Sequence, residues 1–348
     1  MKFRYMVVIV VILLILAEVF LRLFISKPSS QQYDAELGYT NIPGSKMIES
    51  MEGYSHVTFN KSGFNDADPD VNLPRKIFVI GDSYTEATQL DYTLGYTSLM
   101  EQALAPSGVD IIKLARDSFL PLHYPVVSRR YYAKYQPELT ILQLGSHTPG
   151  GLYGSDISIK YSADNKILSY RLKVSENDLN KEKFRVIINN SALAYYLMRR
   201  YKYLIVKSLN RLNGLFDNTE AISNDLNKTA ADDRSNSESA TEDKRRLTYL
   251  LKKMEGKLVV VYFPDPAVIF DINEHNDRAR EVIKASAEAA GAGFIDLTDV
   301  FREDFSKNRQ LLNGFSNSRP NSGHLNQHGH KVVSTYLIAE LEKSGYLN

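Results

Sequence analysis

Two short segments hold residues whose types and spacing suit chemistry. The first, "KIFVIGDSYTEA", sets Gly81-Asp82-Ser83 directly behind an apolar, β-branched run. A serine on such a turn exposes its hydroxyl as a nucleophile and offers its own backbone N–H to a developing oxyanion. Gly81 permits a tight turn, and helical residues after Ser83 add a favourable N-terminal dipole. Read alone, the triplet is equally a plain helix start capped by Asp82 or Ser83. The second segment, "NSGHLNQHGHKVV" from Asn321 to Val333, packs His324, His328 and His330 into seven positions, out of seven histidines in all. Three readings compete: a metal cluster, a base with two bystanders, or surface polarity on a helix. Asn326 is a good N-cap, which puts His324 ahead of the helix, and His328 and His330 point to different helix faces. With no H-E-x-x-H pattern and no nearby acidic cluster, no metal site is expected. His328 and His330 read as first-turn surface residues. No glycine-rich phosphate loop follows a strand, so no nucleotide or other cofactor is implied.

These segments need elements to hold them. "RKIFVIG" (75–81), "VDIIKLA" (109–115), "ELTILQLG" (138–145) and "KLVVVYF" (257–263) are apolar runs bounded by Pro, Gly or Asp and read as strands. Helical patterns lie between them, among them "GYTSLMEQAL", "HYPVVSRRYYAKY", "RRLTYLLKKM" and "DRAREVIKASAEAAG", and "NQHGHKVVSTYLIAELEKS" closes the chain. Alternation of this kind predicts βαβ units and a parallel sheet. "GFIDLTDVF" reads as a short strand and turn. The pattern is lost from about 150 to 245. There "SALAYYLMRRYKYLIVKSLNRL" (191–212) is a long amphipathic helix whose basic face reads as solvated, with contact to anionic lipid headgroups as the alternative, and the acidic, Ser/Asn-rich stretch 217–243 reads as a disordered loop.

The amino terminus, "MKFRYMVVIVVILLILAEVFLRLFISKPSS", joins a positive start to an apolar run reaching Ile25. As a helix, residues 5–25 measure roughly 30 Å, the thickness of a bilayer core. No small-residue cleavage site follows, so an uncleaved signal anchor is favoured over a removed signal peptide, with the main domain extracytoplasmic. A net charge of +1 argues against nucleic-acid binding. The absence of cysteine removes disulfides, thiolate metal sites and a cysteine nucleophile. The expected layout is an anchor at 1–26, a juxtamembrane segment with short strands at 27–73, and one α/β domain at 74–348 interrupted at about 150–245.

"IFVIGDSYTEA" near the start of that domain and "GHLNQHGHKVVSTYLIAEL" at its end resemble the SGNH (GDSL-type) hydrolases. "ELGYTNIPGS", "FNKSGFNDAD", "ARDSFLPLHYP" and "YQPELTILQLG" extend the likeness over roughly 36–150 and 245–345. The resemblance to a membrane-anchored, extracytoplasmic branch implies an α/β fold, a three-layer α/β/α sandwich with a central parallel sheet of flavodoxin-like type. It also implies Ser83 as nucleophile and His324 as base, with the backbone amides of Ser83 and Ser118 as oxyanion donors. Ser118 stands where the family has glycine, which a backbone donor tolerates. "GSHT" stands where the family has G-x-N-D, so His147 replaces the asparagine donor, either as a substitute donor or as a loop histidine with no task.

The acid expected two or three residues ahead of the base is missing. Asn321 and Ser322 occupy those positions, so the residues available to orient His324 are Asn321, Ser322 and, from a neighbouring strand end, Asp296 or Asp299. The implied activity is hydrolysis of O-acyl esters, with acetyl groups on a cell-surface polysaccharide as the expected class and an acylated glycan as substrate. The alternatives are an O-acetyltransferase using the same residues, or a degenerate domain kept for glycan binding or scaffolding among surface-polysaccharide assembly proteins.

Overall fold

The structure is a computed structural model and describes residues 2–70, 72–153, 157–164, 166–172, 185–201, 236–270 and 278–347. The chain divides into two compact units, Met1–Ser29 with Leu179–Thr241, and Ser30–Asp178 with Glu242–Asn348.

The first unit contains helix α1 (Lys2–Phe24), whose stretch Phe3–Phe24 is long and apolar enough to cross a bilayer. Residues 185–190 and 192–201 are also helical. The rest of the amphipathic helix expected over 191–212, from 202 onward, lies outside the described residues.

The second unit opens with two antiparallel hairpins, β1 (Gln31–Asp34) with β2 (Gly38–Asn41) and β3 (Lys46–Glu49) with β4 (Ser55–Thr58). A five-stranded parallel sheet follows. Its strands are β5 (Arg75–Gly81), β6 (Val109–Ala115), β7 (Leu139–Gly145), β10 (Leu258–Phe263) and β11 (Gly293–Asp296), in spatial order β11-β10-β7-β5-β6. A third hairpin, β8 (Ile157–Tyr161) with β9 (Ile167–Leu172), leaves the end of β7. It forms a separate two-stranded sheet within the same compact unit.

The four longer sheet strands, β5, β6, β7 and β10, are buried on both faces, and for that reason they read as largely apolar runs rather than alternating ones. Alternate residues point to opposite sides. Phe78, Ile80, Leu142, Leu144, Val260 and Tyr262 meet α4 (His123–Tyr135), α5 (Asn236–Leu251) and α6 (Arg278–Ala290). Ile77, Val79, Ile141, Val259 and Val261 meet α3 (Tyr96–Leu104), α7 (Thr298–Asn308) and α8 (Gln327–Lys343). The fold is thus a three-layer α/β/α sandwich. Residues 236–243, expected in a loop, belong to α5, while 217–235 lie outside the described residues. Thr298–Asn308 is a helix where only a turn was expected.

In sheet terms the strand order is 2-1-3-4-5, with its switch point between the first strand, β5, and the third, β7. Ligands in such sheets bind beyond the carboxyl ends of the strands at that point. Ser83 follows β5, in the four-residue helix α2 (Ser83–Glu86), and His147 follows β7.

Candidate active site

Ser83 is the first residue of α2, and Asp82 caps that helix, its Oδ1 accepting the Tyr84 N–H at 3.0 Å. The turn has no room for a side chain at position 81. A Cβ on Gly81 would lie 2.3 Å from Thr85 Oγ1 and 2.6 Å from Gln143 Oε1. Those atoms are part of the support for the turn, since Gln143 Oε1 accepts the Asp82 N–H at 3.1 Å and the Thr85 hydroxyl at 3.1 Å.

The Ser83 hydroxyl meets Nε2 of His324 at 2.8 Å, although the two residues are 241 positions apart. On the other side of the ring, Nδ1 lies 2.6 Å from Oε2 of Glu52, and Oε1 of the same carboxylate accepts the His324 backbone N–H at 2.8 Å. A carboxylate only accepts, so the ring hydrogen sits on Nδ1 and the lone pair of Nε2 faces the serine. This relay has the connectivity of a Ser-His-acid triad.

Glu52 belongs to the connection between β3 and β4, in the N-terminal segment. Its loop is fastened from both sides. Gly53 donates its N–H to Asn317 Oδ1 at 2.7 Å, and Asn317 Nδ2 donates to the Gly53 carbonyl at 2.9 Å. Gly53 has φ +70°, and a Cβ there would stand 2.2 Å from the Gln89 carbonyl. The carboxylate is also admitted by a glycine, because a Cβ on Gly323, at φ +73°, would sit 2.2 Å from Glu52 Oε1.

Burial disfavours the charges of both partners. The hydrogen bonds from His324 nevertheless hold Glu52 below the usual glutamate value, and Glu52 holds His324 above the usual histidine value.

The four residues considered for orienting His324 all bond elsewhere. Asn321 Nδ2 donates to the Pro266 carbonyl at 2.8 Å, and the Ser322 hydroxyl donates to the Arg319 carbonyl at 3.2 Å. Asp296 Oδ1 accepts the Thr298 N–H at 2.8 Å, and the exposed Asp299 lies 3.5 Å from Arg302. Asn321 instead takes φ +50°, turning the chain ahead of His324.

His147 Nε2 lies 2.7 Å from Asp82 Oδ2, and that bond raises its pKa above the usual histidine value against the pull of burial. The bond occupies one of the two ring nitrogens, which leaves Nδ1 as the atom available to a substrate. The Tyr84 ring lies between the two histidines, its centroid 6.1 Å from that of His147 and 5.2 Å from that of His324. Ser118 adopts φ +66°, a left-handed backbone conformation that favours glycine. Beside it, the buried Glu86 accepts the Asp117 N–H at 2.6 Å and Asn41 Nδ2 at 3.1 Å, so α2, the loop after β6 and the N-terminal segment are tied together.

The other two histidines separate. His328 Nε2 pairs with Asp304 Oδ2 at 2.6 Å. His330 is buried, not at the surface as expected. It accepts the Tyr96 N–H on Nδ1 at 3.2 Å and stacks on the Tyr96 ring. With Val333, Leu337 and Leu341 it forms the face of α8 that packs inward. Among the described residues no group of three or more His, Asp or Glu is placed to hold a metal ion.

No family model and no curated protein matches the chain. Several solved structures are similar to the chain at low sequence identity. TesA is 10% identical with a TM-score of 0.41, over 77% of this chain and 99% of that one. The acetyl xylan esterase AlAXEase is 16% identical with a TM-score of 0.40, over 76% and 99%. A catalytic mutant of Axe2, an acetylxylan esterase from Geobacillus stearothermophilus, is 13% identical with a TM-score of 0.39, over 77% and 94%.

Proposed function

We propose that the chain is a membrane-tethered serine esterase of SGNH type, with Ser83 as nucleophile, His324 as base and Glu52 as the acid. The observation that carries this reading is the unbroken relay from Glu52 Oε2 through His324 to Ser83 Oγ, at 2.6 and 2.8 Å. Ser83 Oγ attacks the ester carbonyl carbon while its proton passes to His324 Nε2, and the resulting imidazolium is stabilised by Glu52. The oxyanion takes hydrogen bonds from the backbone N–H groups of Ser83 and Ser118. In its protonated form His147 adds an N–H from Nδ1. His324 then returns the proton to the departing alkoxide, and a water repeats the sequence on the acyl-enzyme.

The sequence resemblance and the apolar α1 support an extracytoplasmic site and an O-acyl ester substrate, with acetyl groups of a surface glycan as the first class to assay. The relay weighs against a degenerate domain, because an intact carboxylate–imidazole–hydroxyl chain has no use in scaffolding. The test is covalent labelling of the detergent-solubilised full chain by a serine-directed fluorophosphonate, together with turnover of small acetyl esters. Both should occur and both should vanish in Ser83→Ala. Neither occurring in a folded wild-type protein would overturn the reading.

A further inference from the structure

Glu18 is a carboxylate inside the longest apolar run of the chain, and the ester chemistry makes no use of it. Acidic side chains are costly in a membrane-spanning helix unless they are paired. Here the pairing is complete. Oε1 accepts Arg22 Nε at 2.7 Å and the Ala192 N–H at 2.8 Å, while Oε2 accepts the Leu193 N–H at 2.9 Å and the Ser191 hydroxyl at 3.0 Å. Glu18 therefore caps the start of helix 192–201 from a distant part of the chain. Two further bonds follow the same path, from Arg22 to the Asn190 carbonyl at 2.5 Å and from the Ser29 N–H to the Ile188 carbonyl at 2.8 Å.

Residues 188, 190 and 192 thus run down α1 past Ser29, Arg22 and Glu18. Helix 192–201 does not continue along that line. Residues 3–16 of α1 are all exposed, so the second helix must turn aside at the level of Glu18. That level lies about 9 Å inside the Phe24 end of α1, at 1.5 Å per residue. The segment "SALAYYLMRRY" (191–201) combines small and apolar residues with three tyrosines and two arginines, a composition suited to the headgroup boundary. Leu197 and Tyr201 are exposed, as are Val186 and Ile187 on the preceding turn.

We infer that helix 192–201 is a second membrane contact, lying within about 9 Å of the lipid headgroup boundary and locked to α1 by the Glu18 carboxylate. The occupant of its exposed face is lipid, and the inference rests on α1 spanning the bilayer. The chain has no cysteine, so single spin labels can be introduced without background. Leu197→Cys, Leu13→Cys and Leu168→Cys would be labelled in the full chain in vesicles of phosphatidylcholine and phosphatidylglycerol. Each is then probed by collision with oxygen, which partitions into lipid, and with a water-soluble nickel chelate. The labels at positions 197 and 13 should both favour oxygen, and that at 168 should favour nickel. Adding Glu18→Ala should abolish the oxygen preference at 197 and leave that at 13 intact. A label at 197 that behaves like 168 while 13 remains in lipid overturns the inference alone. A label at 13 that favours nickel overturns it together with the membrane reading of α1. An unchanged 197 signal in the Glu18→Ala background overturns the lock.

Discussion

A carboxylate that grips both the ring and the backbone N–H of His324 has effects that single substitutions can separate. Glu52→Gln keeps the shape of the side chain but removes the charge that stabilises the imidazolium and fixes its tautomer. The corresponding change in serine proteases lowers kcat by about four orders of magnitude, and we expect a loss of similar size in turnover of a small acetyl ester. The pH profile supplies a second reading. His324 must be neutral to act as a base, and Glu52 raises its pKa above the usual 6.5, so activity should fall as pH drops through that raised value. In Glu52→Gln the acid limb of kcat/KM should move to lower pH while the plateau drops. Stability follows the same pair. The raised pKa of His324 stabilises the fold at low pH and is lost on the alkaline side, whereas the lowered pKa of Glu52 acts above its usual 4.5 and is lost on the acid side. The urea midpoint difference between wild type and Glu52→Gln should therefore be largest between about pH 4.5 and 6.5. Ser83 and His324 were legible in the sequence because each sits in a local motif. Glu52 was not, since a partner 272 residues away leaves no spacing to read. The sequence recorded only the empty places at Asn321 and Ser322.

At the scale of elements, the arrangement depends on two glycines in left-handed backbone. Gly53 lets the β3–β4 connection lie against Gln89, and Gly323 leaves space for the incoming carboxylate. Gly323→Ala should expel Glu52 and lower activity toward the Glu52→Gln level, at a stability cost of about 1–2 kcal/mol for the unfavourable φ. In a Glu52→Gln background the same alanine should reduce activity little further, a non-additivity measurable as a double-mutant cycle. Additive losses would mean that Gly323 serves something other than Glu52. Strand positions were readable because a parallel strand buried on both faces is a plain apolar run, and 75–81 and 109–115 coincide with β5 and β6. Helix α7 was harder, because its buried Phe301 stands among charged neighbours in "FREDFSKN". His330 was misjudged by its polarity alone, although its spacing of three, seven and eleven from Val333, Leu337 and Leu341 already placed it on the inner face of α8.

For the molecule as a whole, the sheet and its two helical layers form the frame, and the Glu52–His324–Ser83 relay lies beyond the carboxyl end of its strand β5. Leu337 is fully buried beneath α8 and away from the relay. Leu337→Ala should cost about 2–5 kcal/mol and lower the urea midpoint, yet leave fluorophosphonate labelling of Ser83 intact below the transition. Where the relay's three members fall along the chain has a further consequence, one of timing. Glu52 and Ser83 are made early, whereas His324 lies 241 residues beyond Ser83. At synthesis rates of about 5–20 residues per second, roughly 12–50 s separate Ser83 from His324. During that interval the emerging chain has a serine hydroxyl with nothing to take its proton. On the proposed reading, an esterase built in this order would stay silent during its synthesis and become competent only when the segment carrying His324 and helix α8 docks.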